Sequence, residues 1–236
     1  ARAQDLTLRH RVRDYRAGDL ERRYPRLDIE EDFFVNYGFV TPELHARMHP
    51  RTEWPAERWA QAEAVWHHVQ QRGEAHPREV DAHFAHGHTT NGFGGRSKAS
   101  TQLLDAMHYR GLLRVARRDN GIRLYAAHQP QIAPDDVPAT LDRLVDVLVN
   151  KYAPLPQPGL RQLVAMLQHA VPQWKGQLRA ALQRATQRLP SAELDGVRWF
   201  WPDGEDPASR RWKAPDRVRL LAPFDPLVWD RDRFER

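Results

Sequence analysis

Between Glu57 and His128 the apolar positions change their spacing in a fixed order. The run ERWAQAEAVWHHVQQRG sets Trp59, Ala62, Val65, Trp66 and Val69 at helical intervals and stops at Gly73. Pro77 suits the first turn of a second, shorter helix, PREVDAHFAHG, with Val80, Ala82 and Phe84 as its apolar residues. A glycine-rich bend, NGFGG, follows. Ser97 is then placed to cap a third helix, SKASTQLLDAMHYRG, which turns Leu103, Leu104, Ala106 and Met107 inward and closes at Gly111. The spacing next drops to two in RVARRDNGIRLY, where Asn120-Gly121 predicts a tight hairpin, because a type I′ turn needs positive φ at both central residues. Three helices and a two-stranded wing predict a winged helix-turn-helix over 58–128.

The order recurs downstream. ATLDRLVDVLVNKY sets Leu141, Leu144, Val145 and Leu148 on one face, and GLRQLVAMLQHA gives a second helix. WKGQLRAALQRATQRL gives a third, with Leu178, Ala181, Leu182 and Ala185 inward and Lys175, Arg179 and Arg184 outward. Leu189 to Trp201 then reads as strand, Asp-Gly turn, strand. These signals predict a second winged helix over 138–203, joined to the first by a proline-rich linker at 129–137. Residues 1–57 read as a partly helical segment, the remnant of a first winged unit, with Phe33, Phe34, Phe39, Val40 and Leu44 available for a core. Residues 204–236 read as a C-terminal strand and extension. The fold class expected is mainly α, within α+β, built of tandem winged helices.

Composition narrows the chemistry. The 236 residues are 41% hydrophobic and include no cysteine, which excludes disulfides and thiolate metal sites and fits a reducing compartment, the cytoplasm. No run is long and apolar enough for a transmembrane helix, and no signal-peptide pattern opens the chain. Its first residue is Ala, as in a processed chain or a fragment. Net charge is +5 and unevenly distributed. Phe93 to Tyr125 carries seven basic residues against Asp105 and Asp119, and Leu160 to Phe200 carries six against Glu193 and Asp195. Two basic stretches on a slightly acidic background point to a polyanion.

The wing sharpens that reading. Across the hairpin Arg118 faces Arg123, and Arg114 repeats on the same face by the strand's two-residue period. Like charges placed opposite one another repel. Phosphates would relieve that repulsion through bidentate pairing, so Arg114, Arg118 and Arg123 read as unpaired candidate DNA contacts, in preference to a solvated hairpin or to salt bridges with carboxylates elsewhere in the chain. Around the start of the third helix, Arg96, Ser97, Lys98, Thr101 and Gln102 are candidate DNA contacts, and Lys175 and Arg179 are their counterparts downstream. His76, His83, His86 and His88 crowd one stretch but lack metal-site spacing and read as a surface cluster, so no metal and no cofactor is expected. Asp225 reads as the cap of the Pro226 turn, and Asp230 as a partner of Arg231 or Arg233. The tryptophans read as core or interface anchors, apart from Trp174, which is placed to stack on a base. No catalytic motif is visible from spacing.

The chain end PFDPLVWDR is similar to a signature near the C-terminus of the YcaQ/AlkZ-like winged-helix DNA glycosylases, and other stretches agree in order. ARAQDLTLRHRVRDYRAGDLERRY resembles their early LTLxxRxxxY stretch, and DFFVNYGFVTPELHARM resembles a segment in which Val35, Asn36 and Tyr37 replace Trp-Ala-His. GGRSKASTQLLDAMHYRGLLRVARR resembles their second winged helix. The resemblance covers nearly the whole chain. It implies tandem winged helices cradling duplex DNA and hydrolysis of the N-glycosidic bond of an alkylated purine, with unhooking of interstrand crosslinks. The family's Gln-apolar-Gln or Gln-apolar-Asp motif falls just ahead of Ala1, and its terminal barrel would follow Arg236. Gln129-Pro130-Gln131 mimics the motif's spelling inside the linker and is not given its role, so no catalytic residue is assigned. The expected partner is double-stranded DNA, alkylated or crosslinked, bound by a monomer at the bacterial nucleoid. A winged-helix transcriptional regulator, a non-catalytic DNA-binding relative and a protein-binding scaffold are the alternatives.

Overall fold

The computed structural model describes residues 3–51, 54–85, 87–90, 94–129, 134–213, 216, 218, 220–221, 225 and 227–228, without the side chain of Arg96. The His86 position, the NGF of the glycine-rich bend, Gln131 and most of PFDPLVWDR, including Trp229 and Asp230, lie outside those residues. In chain order the elements are α1 (Ala3–Arg9), α2 (Asp19–Arg23), β1 (Glu30–Phe33), β2 (Tyr37–Val40), α3 (Pro42–Met48), α4 (Ala56–Arg72) and α5 (Pro77–Phe84). There follow β3 (His88–Thr90), β4 (Arg96–Lys98), α6 (Ala99–Tyr109), β5 (Leu113–Asp119), β6 (Ile122–Ala127), α7 (Val137–Tyr152) and β7 (Leu155–Pro156). The last are α8 (Gln157–Met166), α9 (Leu178–Arg188), β8 (Ser191–Leu194) and β9 (Val197–Phe200). The fold is mixed α+β with small antiparallel sheets.

Two compact units divide the chain. A central unit comprises Arg23–Asp135 with His169–Gln173, and a composite unit comprises Ala1–Arg22, Asp136–Gln168 and Trp174–Arg236. In the central unit, Ala62, Val65 and Val69 of α4 pack with Val80, Leu104, Met107, Leu113, Val115 and Tyr125, and Tyr24 closes the cluster. Trp59, expected on that face, is instead 47% exposed: the three smaller residues already define the buried stripe, one turn further along. Ser97 does not cap α6. It lies in β4, and Lys98 occupies the cap position without a side-chain capping bond.

The hairpin turns where expected. Arg118 pairs with Arg123 and Asp119 with Ile122, while Asn120 and Gly121 take φ of 46° and 88°. A register shift between Val115 and Arg117 interrupts the alternation upstream of the turn. Ala75, between α4 and α5, bridges to Tyr125 of β6. Segment 30–40, read as partly helical, is an antiparallel hairpin with Glu30 opposite Val40 and Phe33 opposite Tyr37. Thr41 then starts α3, its Oγ1 accepting the Leu44 N–H at 3.2 Å, with Pro42 in the first turn.

The composite unit repeats the plan. Leu141, Leu144, Val145 and Leu148 of α7, Leu160, Leu163 and Val164 of α8, and Leu178, Ala181 and Ala185 of α9 are buried, with Phe200 of β9 fully enclosed. β7, between α7 and α8, pairs with β9, which pairs with β8, giving the order β7-β9-β8. The β8–β9 turn again uses two left-handed residues, Asp195 and Gly196.

Candidate nucleic-acid interface

The central hairpin does not hold bare arginines. Arg114 takes Glu30 in a two-point contact (2.7 and 3.1 Å), and Arg118 takes Glu31, 2% exposed, through Nε at 2.8 Å and through Nη2. Arg123 reaches Asp105 at 2.9 Å and lies 4.4 Å over the Tyr37 ring. Arg117 pairs with Glu74. Strand β1 thus supplies two adjacent carboxylates to two of the wing cations, Arg114 and Arg118, and the repulsion across Arg118 and Arg123 is answered inside the fold. The expectation that these residues lack partners is corrected.

The start of α6 is also occupied. Lys98 pairs with Asp81, which additionally accepts Ser100 Oγ at 3.2 Å. Gln102 donates to Thr90 O and to Ser97 Oγ, both at 2.9 Å. Thr101 is half-buried, and Arg96 lies in β4. Helix α9 differs. Its C-terminal half is tied to α7, Arg184 bidentate to Asp142 at 2.9 Å and Arg188 to Asp146. Lys175 and Arg179, four residues apart and both exposed, have no ion-pair or hydrogen-bond partner among the described residues. Trp174 beside them is only 9% exposed and belongs to the interior, which corrects its reading as a stacking platform.

A buried polar hub in the central unit was missed from sequence. Asp32 of β1, 1% exposed, accepts from Arg51 through both oxygens (2.9 and 3.1 Å) and from His49 Nε2 at 3.0 Å. The remaining Arg51 donors go to the carbonyls of Ala170 (2.6 Å), Tyr109 (2.6 Å) and Phe33 (2.8 Å). All five guanidinium N–H groups are therefore used. The His45 ring lies tilted against His49, with centroids 4.3 Å apart, and makes an edge contact with His128 at 5.1 Å. Burial pushes His45 down to about 3, with His49 adding to the shift, and burial also lowers His49 and His108. Burial alone would raise Asp32, but the His49 hydrogen bond and the Arg51 charge outweigh it and hold the carboxyl below the usual range. The i, i+4 spacing of His45 and His49, followed by Arg51, was the available signal.

Asp32, His45 and His49 lie close enough to hold a metal ion. The donor set does not fit one. Both carboxylate oxygens already carry Arg51, so a dication would sit against a guanidinium in a closed interior. Of the predicted surface histidines among the described residues, His76 caps α5, accepting the Arg78 N–H at 3.0 Å, and His83 stacks on His68 at 4.3 Å.

The sequence profile described as "DNA glycosylase AlkZ-like" matches residues 1–236. The chain belongs to the AlkZ-like DNA glycosylase family. Membership links it to DNA repair and to a hydrolase family. Comparisons with curated proteins and with solved structures return no match. Among the described residues no helix is long and apolar enough to cross a membrane. Within this AlkZ-like chain, two stretches that carried the resemblance meet. Arg11 of LTLRHR grips Asp225 of PFDP in a two-point contact (2.7 and 2.8 Å) and holds that carboxyl below its usual range. Asp225, fully buried, also caps its own turn by accepting the Leu227 N–H at 3.0 Å.

Proposed function

We infer that this chain binds double-stranded DNA in a repair role, through two winged helices whose phosphate contacts run chiefly through α9. The winged-helix reading is supported by a repeated order: α4, α5 and α6 then β5–β6, and α7, α8 and α9 then β8–β9. In each, a short extended segment between the first two helices pairs with the last strand of the hairpin, Ala75 in one and β7 in the other.

The observation that carries the DNA reading is the sorting of cations. The wing arginines and Lys98 spend their charge on the protein's own carboxylates, whereas Lys175, in the short 3-10 turn Pro172–Gln177 that leads into α9, and Arg179, in the first turn of α9, are exposed and have no ion-pair partner among the described residues. Free cations release counterions when they meet phosphate, and paired ones must first break an ion pair. Family membership supports a DNA substrate, and within that class alkylated or crosslinked duplex, bound by a single copy of the chain at the nucleoid, is the proposed substrate.

The test is binding of the full chain to plain and crosslinked duplex over a salt series, followed by a base-release assay. Lys175→Gln with Arg179→Gln lowers the slope of log K against log salt by about two, on all sequences alike. Wild-type binding that ignores salt, or a double variant with an unchanged slope, refutes the α9 interface.

A further inference from the structure

Helix α9 turns a line of uncharged side chains to the outside. Leu178, Ala181 and Ala185 are buried and Leu182 is half-buried. By the helical period, the line directly opposite them runs through Ala180, Gln183 and Gln187, all exposed. Cations flank that line rather than occupy it. Arg179 lies exposed along one edge, and along the other Arg184 and Arg188 are tied to Asp142 and Asp146 of α7. The side-chain amides of Gln183 and Gln187 have no hydrogen-bond partner among the described residues, so each keeps donors and an acceptor for a ligand. Their surroundings in the chain are acid-free. From Val147 to Ala192, through α8 and α9, there is no Asp or Glu. A surface without carboxylates approaches phosphate without local repulsion. Cations alone would hold any polyanion, whereas amides and a methyl group distinguish one base pair from another.

We propose that this line reads A·T pairs in the major groove of duplex DNA. The inference rests on the α9 interface above and adds what that helix recognises. A primary amide matches adenine at two points: its N–H donates to N7, and its carbonyl accepts from the N6 amino group. The Ala180 methyl is placed for the C5-methyl of thymine in a neighbouring pair. Gln183 and Gln187 lie about 6 Å apart along the helix axis, close to two base steps of about 3.4 Å each. Guanine presents two acceptors in this groove and suits arginine, and Arg179 stands off the line, toward the backbone.

The experiment measures binding of the full chain by fluorescence anisotropy, over a salt series, to two short plain duplexes of equal length. One is all G·C, and the other differs only in two adenines, two steps apart on one strand at its centre. The second binds about tenfold or more tightly, the discrimination expected of one to two amide contacts. Replacing both adenines by 7-deazaadenine, which lacks only the N7 acceptor of the major groove, removes the preference. Gln183→Ala with Gln187→Ala also removes it and leaves the salt slope at its wild-type value. Alanine is a good helix former at both exposed positions, and an unchanged unfolding midpoint checks that the fold is kept. Lys175→Gln with Arg179→Gln does the reverse, lowering the slope and keeping the preference. Equal affinity for the two duplexes, a preference that survives 7-deazaadenine, or one that survives the glutamine changes overturns the base-reading line, while an intact salt slope still leaves α9 on the backbone. Wild-type binding that ignores salt overturns both.

Discussion

Replacing Arg51 by Met tests whether the buried hub holds the central unit together. The side chain keeps a similar apolar reach but loses all five donors, which leaves Asp32 without a cationic partner, held by His49 and the Phe33 N–H, and strips a bond from the carbonyls of Phe33, Tyr109 and Ala170. Removing one partner of a buried ion pair costs about 3–5 kcal/mol. Each carbonyl left dry adds on the order of 1–3 kcal/mol unless water enters. Total stability is usually about 5–15 kcal/mol, so Arg51→Met consumes much of it and, at roughly 2–4 °C per kcal/mol for a chain of this size, lowers Tm by tens of degrees. The assay is urea unfolding followed by tryptophan fluorescence, beside Arg47→Met, which breaks an exposed i, i+4 pair with Glu43 and costs a few tenths of a kcal/mol. The double variant Asp32→Leu with Arg51→Met costs less than the two single changes summed, because no charge is left alone. Equal costs for Arg51→Met and Arg47→Met, or additive single changes, refute the hub.

Three further outcomes follow from the same geometry. Gly111 (φ +77°) faces His49 so closely that an added Cβ would meet Nδ1 at 2.6 Å, whereas Gly73 (φ +76°) has nothing within 4 Å. Gly73→Ala therefore costs about 1 kcal/mol of backbone strain and Gly111→Ala about 2–4 with the added clash; equal midpoints in urea would contradict this. Folding lowers the affinities of His45, His49 and His108 for protons below the ordinary 6.5. The unfolded chain then binds more protons, so stability is full above about pH 6.5 and declines as pH falls toward 3, with Asp32 adding to the loss below about pH 4. Denaturation midpoints that stay flat between pH 7.5 and 5 refute neutral histidines in the core. Arg118→Gln breaks its pair with Glu31 and costs about 1–3 kcal/mol of stability, while the salt slope of DNA binding stays within experimental error; a slope lowered by one would return the wing to the phosphates.

The two hairpins and the helices around them were legible because their signals are local: Asn-Gly and Asp-Gly force left-handed turns, and apolar stripes repeat within one helix. What Arg114 and Arg118 touch was not, since Glu30 and Glu31 lie 84 and 87 positions away in the chain. A basic cluster looks alike on a sequence whether its partners are distant carboxylates or phosphates. Segment 30–40 misled because its aromatic residues suit a helix as well as a strand, and only pairing across Gly38 fixes the two-residue period. The hub escaped because Asp32, Arg51 and Ala170 belong to three separate stretches. Lys175 and Arg179 were legible as outward-facing, and the fold adds that they have no partner among the described residues.

The Arg11–Asp225 contact bears on how the chain assembles as it is made. Its partners are 214 positions apart. At roughly 5–20 residues per second, the first stretch of the composite unit waits on the order of ten seconds or more for the residue that fastens it. The central unit, continuous but for His169–Gln173, has nearly all its contacts long before. During synthesis the middle of this protein therefore takes shape first. The α1 stretch is fastened later, by a carboxylate made 214 positions after Arg11.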